Sequence, residues 1–387
     1  MRLKDLPKTR LFRRLCGYVH NWRECLVGAW HWLRFWQAPV APNTVLLAEP
    51  NAFHGEILPG FVEYFQELGF HVTVLTRYAI WSNSPFNRLS SKPRHYCLTI
   101  AGMRSILRSR KVHDFEYVLL TSARSYLNER CFIHRYLDFL KATPSGKRGY
   151  GLIEHSLAHV DYGTFWDDIP NDAPAAIQLR EHTFLLTATS WRGHEIPMLN
   201  PHRFGAIHRP APGKRKVFVT VGRLNSKTRD VKTLLDALME IGRSDEFELW
   251  IVGRMKTYQT QVWPSNVHAT GYLTFDQMYA VLEKADFLLA LLDPQTQSSY
   301  LDGCTSGSRQ LALGFGIIPV IHRAFAQPYG FTEQNAILHE DNGLAKAIQT
   351  ALDLSPEDTA QKRAALSAEA QRVHDVSLSN LKQRLHL

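Results

Sequence analysis

The sequence predicts an α/β protein made of two Rossmann-like halves with parallel sheets. Three observations carry that reading. Apolar runs of strand length alternate with helix-period segments along most of the chain. The alternation occurs twice, on either side of a stretch rich in Pro, Gly and basic residues at 201–216. The length of 387 residues exceeds what one core usually serves.

The elements follow in order. Pro39 and Pro42 end an N-terminal arm at 1–40. TVLLAEP (44–50) reads as a strand, HGEILPGFVEYFQELG (54–69) as a helix and HVTVLT (71–76) as the next strand. FEYVLLTS (115–122) and GYGLIEHS (149–156) continue that sheet, helices are expected at 126–141 and 172–184, and TFLLTATS (183–190) extends into a strand. These make a first domain at 41–200. After the linker, a second domain at 217–365 runs strand VFVTVGRL (217–224), helix VKTLLDALMEIG (231–242) and strand FELWIVGR (247–254). It continues with helix TFDQMYAVLEKA (274–285), strand DFLLALL (286–292), the stretch CTSGSRQLALGFG (304–316) and strand IIPVIH (317–322). Strands joined by helices imply right-handed crossovers in parallel sheets. Helices near 355–372 and 377–386 close the chain, with 366–387 expected to pack back.

The formal net charge is +9, and residues 1–40 carry eight Lys/Arg against two acids, +6 of that total. The rest is nearly balanced, which argues against a nucleic-acid enzyme with a basic face on its fold. The five cysteines (Cys16, Cys25, Cys97, Cys131, Cys304) are scattered without a CxxC, so reduced thiols and no zinc site are expected. No uncharged apolar window is long enough for a spanning helix, and Arg23, Glu24 and Arg34 break any signal-peptide pattern.

In the arm, Leu11, Leu15, Tyr18, Trp22, Leu26, Trp30, Leu33 and Trp36 recur at helical spacing, with Arg13, Arg14, Glu24, His31 and Arg34 between them. An amphipathic helix is expected, with four of the nine tryptophans on it. Trp favours a membrane interface and Arg is drawn to anionic lipid, so the arm is read as lying on an anionic membrane surface. The alternative is a helix that packs on the protein itself, with Trp as core filler.

Neither half carries GxGxxG or GxxxxGK[ST], so nicotinamide and P-loop chemistry lose support. The second half offers other phosphate donors. Gly222 and Arg223 end its first strand, Lys227 and Arg229 follow in the loop, and Arg254 ends the next strand. Thr305, Ser306, Gly307 and Ser308 open a helix whose unpaired amides and positive dipole end suit an anion. Simple capping by Thr305 or Ser306 is the competing explanation. In the first half, His54, Gly55 and Glu56 follow the first strand, and Glu154 and His155 end a later one. A carboxylate or His there suits a general base, while Glu56 equally complements a helix dipole and His155 equally fits a satisfied buried histidine. Asp167-Asp168 beside Pro170 reads as a solvated turn.

VGRLNSKTRDVKTLLDAL, NVHATGYLTFDQMYAVLEKADFLLALL and TSGSRQLALGFGIIPVI together resemble the donor domain of GT-B glycosyltransferases that use nucleotide sugars. EPNAFHGEILPGFVEYFQELGFHVTVL resembles the first strand, loop and helix of their acceptor domain. The resemblance covers roughly residues 43–386 and is nearest to bacterial enzymes that build surface polysaccharide or lipopolysaccharide. It implies two domains facing a cleft, a nucleotide-sugar donor, a glycan or lipid-linked acceptor, no cofactor and no metal. It implies diphosphate binding by Gly222, Arg223, Lys227, Arg229, Arg254 and residues 305–308. His54, Gly55 and Glu154 fall on the acceptor side, and Glu56, His155, Arg223 and Lys227 are the catalytic candidates. Asp302 and Gln310 stand where the retaining families carry two glutamates. The expected location is the cytoplasmic face of the inner membrane. Two rivals stay open: a nucleotide-sugar epimerase on the same fold, and a membrane-bound scaffold without catalysis.

Overall fold

The computed structural model describes residues 10–122, 146–160, 174–211, 213–222, 231–254, 262–301 and 303–387. The helix expected at 126–141, Asp167, Asp168, Asp302, and the loop bearing Arg223, Lys227 and Arg229 lie outside the described residues. The described residues fall into two compact units. One is drawn from within Met1–Gly55, Phe65–Ser84 and Pro93–Leu152, the other from Glu56–Tyr64, Pro85–Lys92 and Ile153–Leu387.

Helix α1 spans Arg10–Gln37. Strands β1 (Thr44–Ala48), β2 (His71–Thr76), β3 (Arg94–Cys97), β4 (Val118–Leu120), β5 (Tyr150–Glu154) and β6 (Thr183–Leu185) form one sheet in the order β3-β2-β1-β4-β5-β6. The β1 run TVLLA is buried at every position, as a strand covered on both faces requires. The chain steps outward from β1 to β2 and β3, then returns to β4, so the strand order reverses between β1 and β4. Helices α2 (Leu58–Glu67), α3 (Tyr78–Trp81), α4 (Ile100–Leu107) and α5 (Pro174–Glu181) belong to this half of the sequence. The helix expected at 172–184 stops at Glu181, and the buried Thr183-Phe184-Leu185 becomes β6 instead. TFLLTATS holds two strands: β6, then β7 (Thr189–Trp191), which pairs antiparallel with β8 (His194–Ile196).

Helix α1 packs on β3, α3 and α4 through Glu24, Gly28, His31 and Phe35, spaced at i, i+4, i+7 and i+11. Glu24 pairs with Arg77 through two contacts, and His31 meets the edges of Trp81 and Tyr96. Burial holds the His31 imidazole below its ordinary value, with Arg34 adding to the effect. The Lys111 ammonium donates to the carbonyls of Phe35, Trp36 and Ala38 at 2.7 Å each and so closes the helix C-terminus. The stripe facing away is apolar: Trp22, Leu26, Trp30 and Leu33 are 68%, 63%, 61% and 48% exposed. Core filling by Trp22 and Trp30 is therefore not the arrangement found.

The second sheet comprises β9 (Lys216–Val221), β10 (Phe247–Val252), β11 (Val267–Gly271), β12 (Phe287–Leu289), β13 (Ile318–His322) and β14 (Ile337–His339). Its order is β11-β10-β9-β12-β13-β14, reversing between β9 and β12. Helices α6 (Val231–Ile241), α7 (Phe275–Lys284), α8 (Gly307–Phe315), α9 (Arg323–Tyr329), α10 (Leu344–Asp353) and α11 (Pro356–Leu385) accompany it. Alternate strand residues enter opposite cores. Val219, Leu288 and Ile321 join α7, α8, α9 and α11, while Phe218, Phe287 and Val320 join α6 and α10. Thr274 and Gln277 form a capping box at the start of α7. Gly316 ends α8 at φ 59, a left-handed C-cap that suits glycine. The two helices expected at 355–372 and 377–386 are one helix of 30 residues. The polar residues that break its apolar period have partners: His374 stacks on Tyr64 at 5.0 Å, and Ser377 accepts the Asn200 amide at 3.0 Å.

Candidate functional site

Open parallel sheets bind ligands outside the carboxyl ends of their strands, where the order reverses. In the second sheet that edge holds the ends of β9, β10 and β11 and the start of α8. Gly222 follows β9 with φ 136, and Gly253 follows β10 with φ 140. A Cβ on Gly253 would lie 1.7 Å from the Gly222 carbonyl oxygen, so the two chain reversals touch backbone to backbone. Arg254, next in the chain, holds its guanidinium 5.8 Å from the Tyr272 ring centroid. Tyr272 is 64% exposed and follows β11; it had no part in the sequence reading. An exposed cation beside an exposed ring can meet an anion and a flat base.

The start of α8 is fixed from behind. Tyr329, 1% exposed, accepts the Ser306 amide at 3.1 Å through its hydroxyl. The Arg309 guanidinium donates to the carbonyls of Tyr329 and Leu186 at 2.9 and 3.1 Å. Burial pushes Arg309 down to about 10, with Glu369 acting the other way. Ser306 is the N-cap, its oxygen accepting from the Ser308 amide at 3.3 Å, so the capping role is present. The first turn contains no acidic residue. Around Gly307 space is open: an added Cβ would meet nothing within 4 Å. One turn on, Gln310 is 2% exposed. Neither its Nε2 nor its Oε1 has a partner among the described residues, and Thr305 Oγ1 likewise has none. An unsatisfied buried amide costs about 1–3 kcal/mol, and this one lies beside an open helix start. His155 joins this loop, its carbonyl accepting the Thr305 amide at 3.3 Å. Glu154, ending β5, is buried.

A cavity of about 260 Å3 opens at the same sheet edge, lined by Thr233, His322, His339, Asp293, Glu340 and Asp341 among others. His322 Nε2 lies 2.9 Å from Asp341 Oδ1, and burial holds His339 below its ordinary value. Three carboxylates make this a poor seat for a diphosphate, which favours the α8 start.

At the edge of the first sheet, His54 stands at φ 68, and its Nδ1 is 3.2 Å from Ser122 Oγ. Ser122 donates to Glu49 Oε2 at 2.7 Å, Thr121 donates to the same oxygen at 3.0 Å, and the Asn51 amide donates to Oε1 at 2.8 Å. Glu49 is fully buried, and burial raises it to about 8 against the opposing hydrogen bonds of Ser122, Asn51 and Thr121. Sequence reasoning missed Glu49 and Ser122. They are the residues that follow β1 and nearly follow β4, so reading both sides of the strand-order reversal would have found them. Glu56 lies in the 3-10 turn Gly55–Ile57, its carboxyl raised by burial. Gly55 precedes it there.

Residues 215–353 match the model of the glycosyl transferases group 1 family. No curated protein sequence matches the chain. Among solved structures, HepE of Anabaena, determined with UDP and glucose, superposes with a TM-score of 0.54 at 12% identity over 89% of this chain and 100% of its own. A putative UDP-N-acetylglucosamine 2-epimerase of Listeria monocytogenes gives 0.55 at 13% identity over 89% and 97%. AviGT4, a glycosyltransferase of avilamycin A biosynthesis, gives 0.51 at 12% identity over 89% and 97%. At such identities the likeness shows the fold, two parallel six-stranded sheets in the GT-B manner. The group 1 match lies on the second of those sheets, so residues 215–353 form a domain of the glycosyl transferases group 1 type within a GT-B-like fold.

Proposed function

We propose that the protein moves a sugar from a nucleoside-diphosphate donor to a glycan or lipid-linked acceptor at the cytoplasmic face of an anionic membrane. The observation that carries the donor half is the start of α8, with Gly307 open and the Gln310 amide buried without a partner among the described residues. The positive end of its dipole stabilises charge on the departing diphosphate, usually the largest catalytic contribution in such sites. Gly222, Arg254, Thr305, Ser306 and Ser308 border the donor, and Tyr272 offers its base a ring. Arg223, Lys227 and Arg229 are assigned to the diphosphate from sequence order alone. The HepE structure, determined with UDP and glucose, supports a nucleotide-sugar donor for this fold. His54, Gly55 and Glu154 belong to the acceptor side, and Glu56 and His155 remain candidates for proton transfer.

Thermal unfolding with UDP, GDP, ADP and CMP tests the donor assignment. One nucleotide at about 100 times its Kd should stabilise the protein by about 2.7 kcal/mol, and a Ser306→Ala/Ser308→Ala variant should lose that shift. No shift with any nucleotide overturns the proposal. The epimerase reading, which the Listeria likeness keeps in view, requires interconversion of the nucleotide sugar with no acceptor present.

The membrane assignment rests on α1. Its packed face is satisfied by Arg77, Trp81, Tyr96 and Lys111, while Trp22, Leu26, Trp30 and Leu33 face solvent beside exposed Arg23 and Arg34. No helix among the described residues is long and apolar enough to cross a membrane. An exposed Trp/Leu stripe flanked by Arg fits the headgroup region, and residues 1–40 supply +6 of charge. A Trp22→Ser/Trp30→Ser variant should bind phosphatidylglycerol vesicles at least about tenfold more weakly, roughly 1.4 kcal/mol, without loss of thermal stability. Unchanged cosedimentation would refute the anchor.

A further inference from the structure

Arg309 stands where a helix start least favours a cation. Ser306 is the N-cap of α8, so Arg309 is its third residue, the position at which a capping box carries Glu or Gln. A positive charge there meets the positive end of the dipole. The side chain is also buried, 3% exposed, and its hydrogen bonds among the described residues go to neutral carbonyls. Nε donates to Tyr329 at 2.9 Å and Nη1 donates to Leu186 at 3.1 Å. Tyr329 ends α9, so the guanidinium rests on that helix's negative end, held by dipoles and by no carboxylate. Glu369 acts on it from further off, but both Glu369 oxygens accept from Arg372 at 2.7 Å. Burial, with Arg309 next in effect, holds the neighbouring His202 down to about 3, so that imidazole is neutral. Tyr329 joins the cation to the open end of α8: its carbonyl accepts from Arg309 and its hydroxyl accepts the Ser306 amide.

We propose that Arg309 is a positioning residue of the donor site, a buried cation held by the Tyr329 and Leu186 carbonyls whose charge is matched when a diphosphate binds at the start of α8. The proposal rests on the nucleotide-sugar donor reading. A buried charge costs free energy until an anion answers it. With the site empty, Arg309 has carbonyl dipoles alone; a bound diphosphate supplies the anion, and a neutral ligand supplies nothing. The guanidinium is committed to the two carbonyls and shut off from solvent, so its part is carried by charge and by the brace through Tyr329. In surroundings less polar than water such a charge acts further than an exposed one, and salt screens it less. Arg309 therefore raises the affinity of α8 for ligands in proportion to the charge they bring. A mere strut between the loop after β6 and the end of α9 would treat charged and neutral ligands alike.

Calorimetric titration of the full chain gives the test, with the nucleotide found by thermal unfolding and, by displacement, its parent nucleoside. Arg309→Gln keeps an amide for one carbonyl and removes the charge. It should bind the nucleotide at least about tenfold more weakly, the scale of a unit charge withdrawn from near an anion inside a protein, and the nucleoside within about threefold of wild type. The nucleotide ratio between wild type and variant should persist when salt is raised from about 0.1 M to about 0.5 M, because a buried charge is little screened. Arg309→Lys restores the charge without the planar fork and should return nucleotide affinity to within about threefold of wild type. Arg309→Met, an unbranched chain without charge, serves if Arg309→Gln does not fold. Equal losses for nucleotide and nucleoside would make Arg309 a strut alone and overturn the proposal. Undiminished nucleotide affinity in Arg309→Gln, or an Arg309→Lys protein as weak as Arg309→Gln, would overturn it too. Failure of the wild type to bind any nucleotide would instead sink the donor reading, and this proposal with it.

Discussion

Gly253→Ala should destabilise the second unit by roughly 2–6 kcal/mol and remove nucleotide binding with it. Two mechanisms act together. At φ 140 the backbone lies where a side chain is strained by about 1–3 kcal/mol. The new Cβ would stand 1.7 Å from the Gly222 carbonyl oxygen and 2.7 Å from its carbon. Those are backbone atoms at the end of the neighbouring strand, so no side chain can swing aside, and overpacking adds about 1–3 kcal/mol. Relief requires β9 and β10 to part at their carboxyl ends, where Gly222 donates to Val252 and Gly253 donates to Gly271. Urea unfolding measures the loss directly. Gly242→Ala offers a reference, because φ is 64 there but an added Cβ would meet nothing within 4 Å. A Gly253→Ala loss no larger than that of Gly242→Ala would show that the Gly222–Gly253 contact is not essential.

Much of the fold was legible because parallel strands buried on both faces read as uninterrupted apolar runs. TVLLA and IPVIH are examples, buried at every position. What escaped reading was settled by tertiary contact. Strand β14 has three residues and no period of its own; it exists because Val320, Ile321 and His322 pair with it. The break expected in α11 disappears because Tyr64 and Asn200 receive His374 and Ser377. In α1 the apolar stripe was visible, but periodicity cannot say which stripe faces the protein. Glu24 and His31 went inward because Arg77, Trp81 and Tyr96 were waiting for them, and the tryptophans at 22 and 30 stayed outside. The site divides in the same way. The start of α8 was readable, since Ser306, Gly307 and Ser308 are adjacent in sequence. The Glu49–Ser122 contact joins residues separated by 73 positions, and only the crossover to β4 brings them together.

Gly307→Asp separates capping from ligand binding because the two roles respond with opposite sign. Gly307 is the first residue of α8, exposed, with no heavy atom within 4 Å of an added Cβ and no acid in the first turn. A carboxylate there meets the positive end of the helix and should add about 0.3–1 kcal/mol. Replacing glycine in a helix adds roughly 0.5–1 kcal/mol more. If capping is the whole purpose of CTSGSRQ, the variant gains stability and its nucleotide response is unchanged. If a diphosphate sits on these amides, the new carboxylate occupies its place and repels it. Like charges so close cost several kcal/mol, so affinity should fall by about 100-fold or more. Gly307→Ala supplies the size control and should keep the nucleotide response. Calorimetric titration of both variants with the nucleotide found by thermal unfolding reads affinity, and a urea midpoint reads stability. A more stable Gly307→Asp protein that has lost its nucleotide would assign the helix start to the donor. A more stable protein with undiminished affinity would return those hydroxyls to capping alone and move the diphosphate elsewhere on the sheet edge, toward Arg254 and Tyr272.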